Sequence, residues 1–163
     1  MHFSCKITHA ILTQLESEKI DLSAYFSETE IPWELLRDSS YWMRAPDMEA
    51  FLERLALKTE TLIKAGHSTP KNRAWGVLDS VLRMMPQPQE IFQQPEKFLS
   101  YFISPEPPLE NLERFEKGLS FDIPLPAEQY PLVTTYLKAA FESLPAYIGQ
   151  SMAQCTWQDI KFK

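Results

Sequence analysis

Apolar residues recur at three- and four-residue intervals through most of the first hundred positions, a spacing that predicts helices. Ile7, Ile11, Leu12 and Leu15 place one over about 4–18. Asp21 or Ser23 is suited to cap a short helix through Tyr25 and Phe26. Ile31-Pro32-Trp33 opens another, with Pro32 in a first turn that needs no N–H from it and Leu35 and Leu36 inside. From Pro46-Asp47 a longer stripe runs through Met48, Phe51, Leu52, Leu55, Leu62 and Ile63, and Gly66 is read as its left-handed stop. Ser68-Thr69-Pro70 caps the next helix, whose stripe is Ala74, Trp75, Leu78, Val81, Leu82 and Met85 and which Pro86 and Pro88 end. A shorter helix around 89–93 and one over 95–103, carrying Phe98, Leu99, Phe102 and Ile103, follow.

At Ser104-Pro105-Glu106-Pro107-Pro108 the pattern changes, because so many prolines exclude a helix interior. Two arms, 109–116 and 119–125, then flank Lys117-Gly118, which reads as a two-residue hairpin turn. Leu119, Phe121, Ile123 and Leu125 alternate with Ser120 and Asp122, so one face of the second arm needs a cover. The helix over 131–144, with Leu132, Val133, Tyr136, Leu137, Ala140, Phe141 and Leu144 on its stripe, supplies it, and both Phe121 and Phe141 are expected to face the core. Cys155, Trp157, Ile160 and Phe162 suggest a last strand with a bulge at Gln158-Asp159. The fold class is therefore α+β: a helical N-terminal two-thirds, then a small antiparallel sheet packed on a C-terminal helix. The 163 residues suit one domain, with a helical part of about 1–105 and a sheet-plus-helix part of about 106–163.

Composition removes several functions. A net charge of −6 with no cluster of Lys and Arg argues against direct contact with nucleic acid or an anionic membrane surface. Without those basic residues, the three short helices at the start read as a packed helical unit and not as a helix-turn-helix. Four glycines among 163 residues leave little material for phosphate-cradling loops. Cys5 and Cys155 form no disulfide framework, the first 19 residues lack a signal-peptide pattern, and no apolar run reaches the length of a membrane span. A cytoplasmic protein with two reduced thiols is expected.

Candidate chemistry is sparse. His2, His9 and His67 show none of the local pairing that zinc sites use, and the Cys5/His9 spacing gives at most two ligands, so no metal is expected. His67 is placed to complement a helix C-terminus. No nucleophile elbow or nucleotide loop is present, and the carboxylate pairs Glu28/Glu30 and Glu113/Glu116 sit in polar stretches; an enzyme is not expected. The aromatic stock is richer: Tyr41, Trp42, Trp75, Phe98, Tyr101, Phe102, Phe121 and Phe141 either fill a core or line a site for an apolar ligand.

The pieces EKFLSYFISPEPP, LERFEKGLSFDIPL, YPLVTTYLKAAFESL and AQCTW are similar, in order, to the C-terminal half of bacterial heme-nitric-oxide-binding domains. There a helix bearing the heme-ligating His leads through a Pro-rich crossing to a hairpin, a Pro-led helix and a final strand. ETEIPWELLRDSSYWM and MEAFLERLALKTETLIKAGHSTP resemble the N-terminal effector domains of AraC-type regulators. The heme ligands do not carry over. The iron-binding His would fall at Leu99-Ser100-Tyr101, and the Tyr-x-Ser-x-Arg propionate clamp within Phe121-Asp122-Ile123-Pro124-Leu125, so no cofactor is expected. With the ending IKFK read as the edge of an excised domain, the resemblance implies a sensory or regulatory domain ahead of a histidine kinase or DNA-binding output in the same chain. Its signal would be an unidentified small molecule or protein partner, and a homodimer is open. By analogy with the family's packing, Phe98, Tyr101 and Phe102 would line the ligand site with Trp75 and Leu78, the Tyr101 hydroxyl serving as a polar handle. The alternative is a protein-interaction or dimerisation module in which the same rings only fill space.

Overall fold

In the computed structural model, which describes residues 1–23, 31–85, 93–116 and 118–155, the chain is α+β. Its first strand, β1 (His2–Ser4), lies in the middle of a three-stranded antiparallel sheet, between β2 (Trp42–Arg44) and β3 (Ile103–Ser104). Phe3 pairs with Met43 on one side and Ile103 on the other. Ile103, expected at the end of a helix, is thus a strand residue, and the short preceding helix stops at Ser100. The Ser104–Pro105 peptide is cis.

Helix α1 (Lys6–Ser17) follows β1 directly and buries Ile7, Ile11, Leu12 and Leu15 as its spacing predicts. A single turn, α2 (Trp33–Leu36), precedes β2. The stripe starting at Pro46 is not one helix but two, α3 (Ala45–Arg54) and α4 (Thr59–His67). Ala56 breaks them apart at φ +48°, and the change of phase leaves Ile63 exposed where Leu62 is buried. Gly66 is not a stop. It lies inside α4, where a Cβ would come within 2.5 Å of the Ala139 Cβ. The next predicted helix is likewise split, into α5 (Thr69–Asn72) and α6 (Val77–Arg83), by left-handed Arg73 and Gly76. Val81, assigned to its buried stripe, is 43% exposed. Helix α7 (Pro95–Ser100) leads to β3.

The hairpin of β4 (Glu110–Phe115) and β5 (Gly118–Asp122) forms a second sheet. Phe115 pairs with Gly118, so Gly118 opens β5 and is not a turn residue. A bulge between Glu110 and Glu113, with Asn111 at φ +52°, interrupts the outer strand. Phe121, Ile123 and Leu125 pack half-buried against the core, and so does Phe141. Helix α8 (Pro131–Ser143) continues into a 3-10 turn, Leu144–Ile148, closed by left-handed Gly149. Seven of its thirteen residues are buried, because α4, α3 and α1 all pack on it. The helix expected near Tyr25, the one at 89–93, the proline stop at 86–88 and the strand with its bulge beyond Cys155 lie outside the described residues.

Candidate functional site

The five residues expected to line a site come together, mostly by packing on one another. Trp75, Phe98 and Phe102 are buried, with centroid separations of 5.8 Å for Trp75–Phe98, 4.9 Å for Trp75–Phe102 and 5.1 Å for Phe98–Phe102. Tyr147 from the 3-10 turn stacks on Trp75 at 5.8 Å and 21°, and Phe141 meets Phe98 edge-on at 4.9 Å. Leu78 is buried in the same core. Tyr101 alone stands at its rim, half-buried. There it lines a groove of about 360 Å³ with Leu82, Met85 and Phe98 as apolar surface and Gln93, Gln94 and Lys97 as polar surface. Phe98 therefore belongs both to the groove and to the ring cluster.

Polar groups hold the cluster in place. The Trp75 Nε1–H donates to the Tyr136 hydroxyl at 2.9 Å, and that hydroxyl lies 3.0 Å from Thr69 Oγ1. Thr69 spends its own proton on the Ala65 carbonyl at 2.9 Å, so the Tyr136 O–H must donate to Thr69. The result is a directed chain, Trp75 to Tyr136 to Thr69 to the α4 backbone. Burial raises the Tyr136 pKa far above that of a free phenol, which keeps the donor protonated. Sequence reading offered no sign of this chain, since its partners are 61 and 67 positions apart.

A second buried group sets the position of α8. Tyr130 at its N-cap gives no side-chain cap and Pro131 has no N–H, so the first free donors are those of Leu132 and Val133. Glu49 on α3 receives both, through Oε1 at 2.7 Å and Oε2 at 3.1 Å. A negative charge there also complements the helix dipole. Burial nonetheless dominates and raises the Glu49 pKa.

The remaining candidates are dispersed. Cys5 is fully buried and burial pushes its thiol up to about 11, which makes it a poor nucleophile. Burial, with help from Arg37, lowers the His9 pKa. His67 ends α4 with Nε2 3.6 Å from Glu142 on α8. Glu113 and Glu116 are exposed on the hairpin, and Glu28 and Glu30 lie outside the described residues. Among the described residues no three His, Cys, Asp or Glu side chains are grouped to hold a metal, and no helix is long and apolar enough to cross a membrane. Compared with known proteins, the chain matches no family model, and it has no significant match among curated proteins or solved structures.

Proposed function

We propose that the chain is a sensory or regulatory domain of a bacterial signal-transduction protein, acting in the cytoplasm, without heme, on a histidine kinase or DNA-binding output. The observation that carries this reading is the double membership of Phe98. An occupant of the groove beside Tyr101 touches a ring that is itself in contact with Trp75, Phe102 and Phe141. Occupancy then favours one arrangement of α6 and α7 over another, which is how a ligand shifts a population. Lys97, Gln93 and the Tyr101 hydroxyl favour an occupant with an apolar body and a hydrogen-bonding head.

One observation favours a second reading, a dimerisation module. Val77 and Val81 on the outer face of α6, and Met84 at its C-cap, follow one another at helical spacing, 81%, 43% and 81% exposed. A metabolite screen by thermal shift separates the two. On the first reading a binder raises the melting temperature of the wild type, and the rise shrinks in Tyr101→Phe and Lys97→Ala, which remain folded. Hemin gives no such shift. The reading is overturned if no compound shifts the wild type while light scattering finds a dimer that Val77→Asp dissolves.

A further inference from the structure

We propose that Asp79, Arg83 and Tyr147 form a latch that fastens the C-terminal turn to α6, and that opening it is how this domain passes a change at α6 to the residues after Gly149. The second half of that statement rests on the regulatory reading above; the latch itself does not. Arg83 is the last residue of α6 and makes three different contacts. Its Nε donates to Asp79 Oδ2 at 2.9 Å, its Nη2 donates to the Pro70 carbonyl, and its guanidinium carbon lies 5.1 Å over the Tyr147 ring. Tyr147 thereby meets both a cation and the indole of Trp75. No other ring in the core is held to α6 through a charge on that helix, among the described residues.

The cluster is held tightly enough to order the turn and is incomplete enough to open first. Asp79 is 2% exposed and Tyr147 6%; the Tyr147 hydroxyl interacts with the Asp79 carboxylate, but among the described residues neither it nor Asp79 Oδ1 is in a well-aligned hydrogen bond. The buried Tyr136 hydroxyl and Glu49 carboxylate, by contrast, each have two hydrogen-bond partners. A partly satisfied buried network is where a packed interior yields most readily. The chain turns directly beyond it at Gly149, with φ +74° and open space where a Cβ would be. The segment past this turn is tied back by Gln150 N–H to the Pro145 carbonyl and Ala153 N–H to the Glu142 carbonyl. Leu82, one residue from Arg83, lines the groove, so groove and latch share the last turn of α6.

Hydrogen exchange of the 163-residue chain tests the latch with no ligand needed. Arg83→Met keeps the apolar stem and removes the cation; Asp79→Asn keeps the shape and removes the anion. In both variants amides over 144–155 should exchange about tenfold faster or more, while those of α4 and α8 keep wild-type protection. Faster exchange throughout the chain would mean that the cluster is ordinary core support. Unchanged exchange over 144–155 would mean that the turn is held by the Trp75–Tyr147 stack alone. Either result overturns the latch, whereas a failed ligand screen with selective opening would overturn only the regulatory reading.

Discussion

Glu49 shows how one side chain can decide where a helix begins. Its carboxylate stands in for the cap that Tyr130 and Pro131 cannot provide, and it comes from 83 positions away. The same burial that makes the contact rigid raises the carboxyl pKa above its ordinary 4.5, against the pull of the Leu132 and Val133 donors. The folded state therefore holds this proton to a higher pH than the unfolded state does. The resulting contribution to stability is complete below 4.5 and fades as pH rises through the elevated folded value. Glu49→Gln cannot titrate, so the comparison isolates the effect. Stability of the wild type relative to this variant, from urea unfolding at several pH values, should rise as the pH falls from 7 towards 4.5. A relative stability that falls on acidification would show that the two backbone donors outweigh burial.

Among the described elements, α4 and α8 make the most extensive contact, and Gly66 sets their separation. Gly to Ala inside a helix ordinarily stabilises by about 1 kcal/mol. Here the new methyl would lie 2.5 Å from the Ala139 Cβ and 2.8 Å from the Ala140 nitrogen, part of a backbone that cannot swing aside. Overpacking of this kind costs about 1–3 kcal/mol, which offsets that gain, so Gly66→Ala should be net destabilising, by up to about 2 kcal/mol, in urea titration with an unchanged m-value. A stabilised variant would mean that α4 and α8 move apart freely. Gly66 also marks what the sequence conceals. A glycine just before a Ser-Thr-Pro run looks the same whether it ends a helix or lets another helix approach, because the partner that distinguishes the two is more than seventy residues away. Helices with long stripes, α1, α3 and α8, were legible because period 3.6 persists over ten residues or more. Strands β1, β2 and β3 span three, three and two residues, too few to show a period of two. The breaks at Ala56 and Arg73 were hidden for another reason: neither residue type prefers the left-handed conformation that tertiary packing imposes.

Over the whole molecule, one core runs from Phe3 to Tyr147 and takes residues from every helix described except the short α5. The aromatic half of the candidate site was readable, since Trp75, Phe98 and Phe102 are large enough to announce burial wherever they fall on a stripe. Its polar half was not, because Tyr136, Thr69 and Tyr147 acquire their roles from neighbours distant in sequence. The integrity of this core depends on the first few residues, because they form the central strand of the three-stranded sheet. Through β1, the Ser4 N–H bonds to the Phe102 carbonyl and the Cys5 N–H to the Tyr41 carbonyl, so one strand joins the segment before α3 to the segment after α7. Phe3 at its centre is fully buried and meets the Tyr130 ring edge-on at 5.4 Å, just where α8 begins. Phe3→Ala should therefore cost about 3–5 kcal/mol, a large part of the roughly 5–15 kcal/mol that holds a domain together. Removing residues 1–4 is more severe: β2 and β3 then lose the strand that joins them, and their backbone groups face an empty strand position. The shortened chain should lose its cooperative urea transition and its near-ultraviolet dichroism while retaining helical far-ultraviolet signal. A sharp transition with the wild-type m-value would mean that the helices alone define the native state and that the central sheet is an accessory to it.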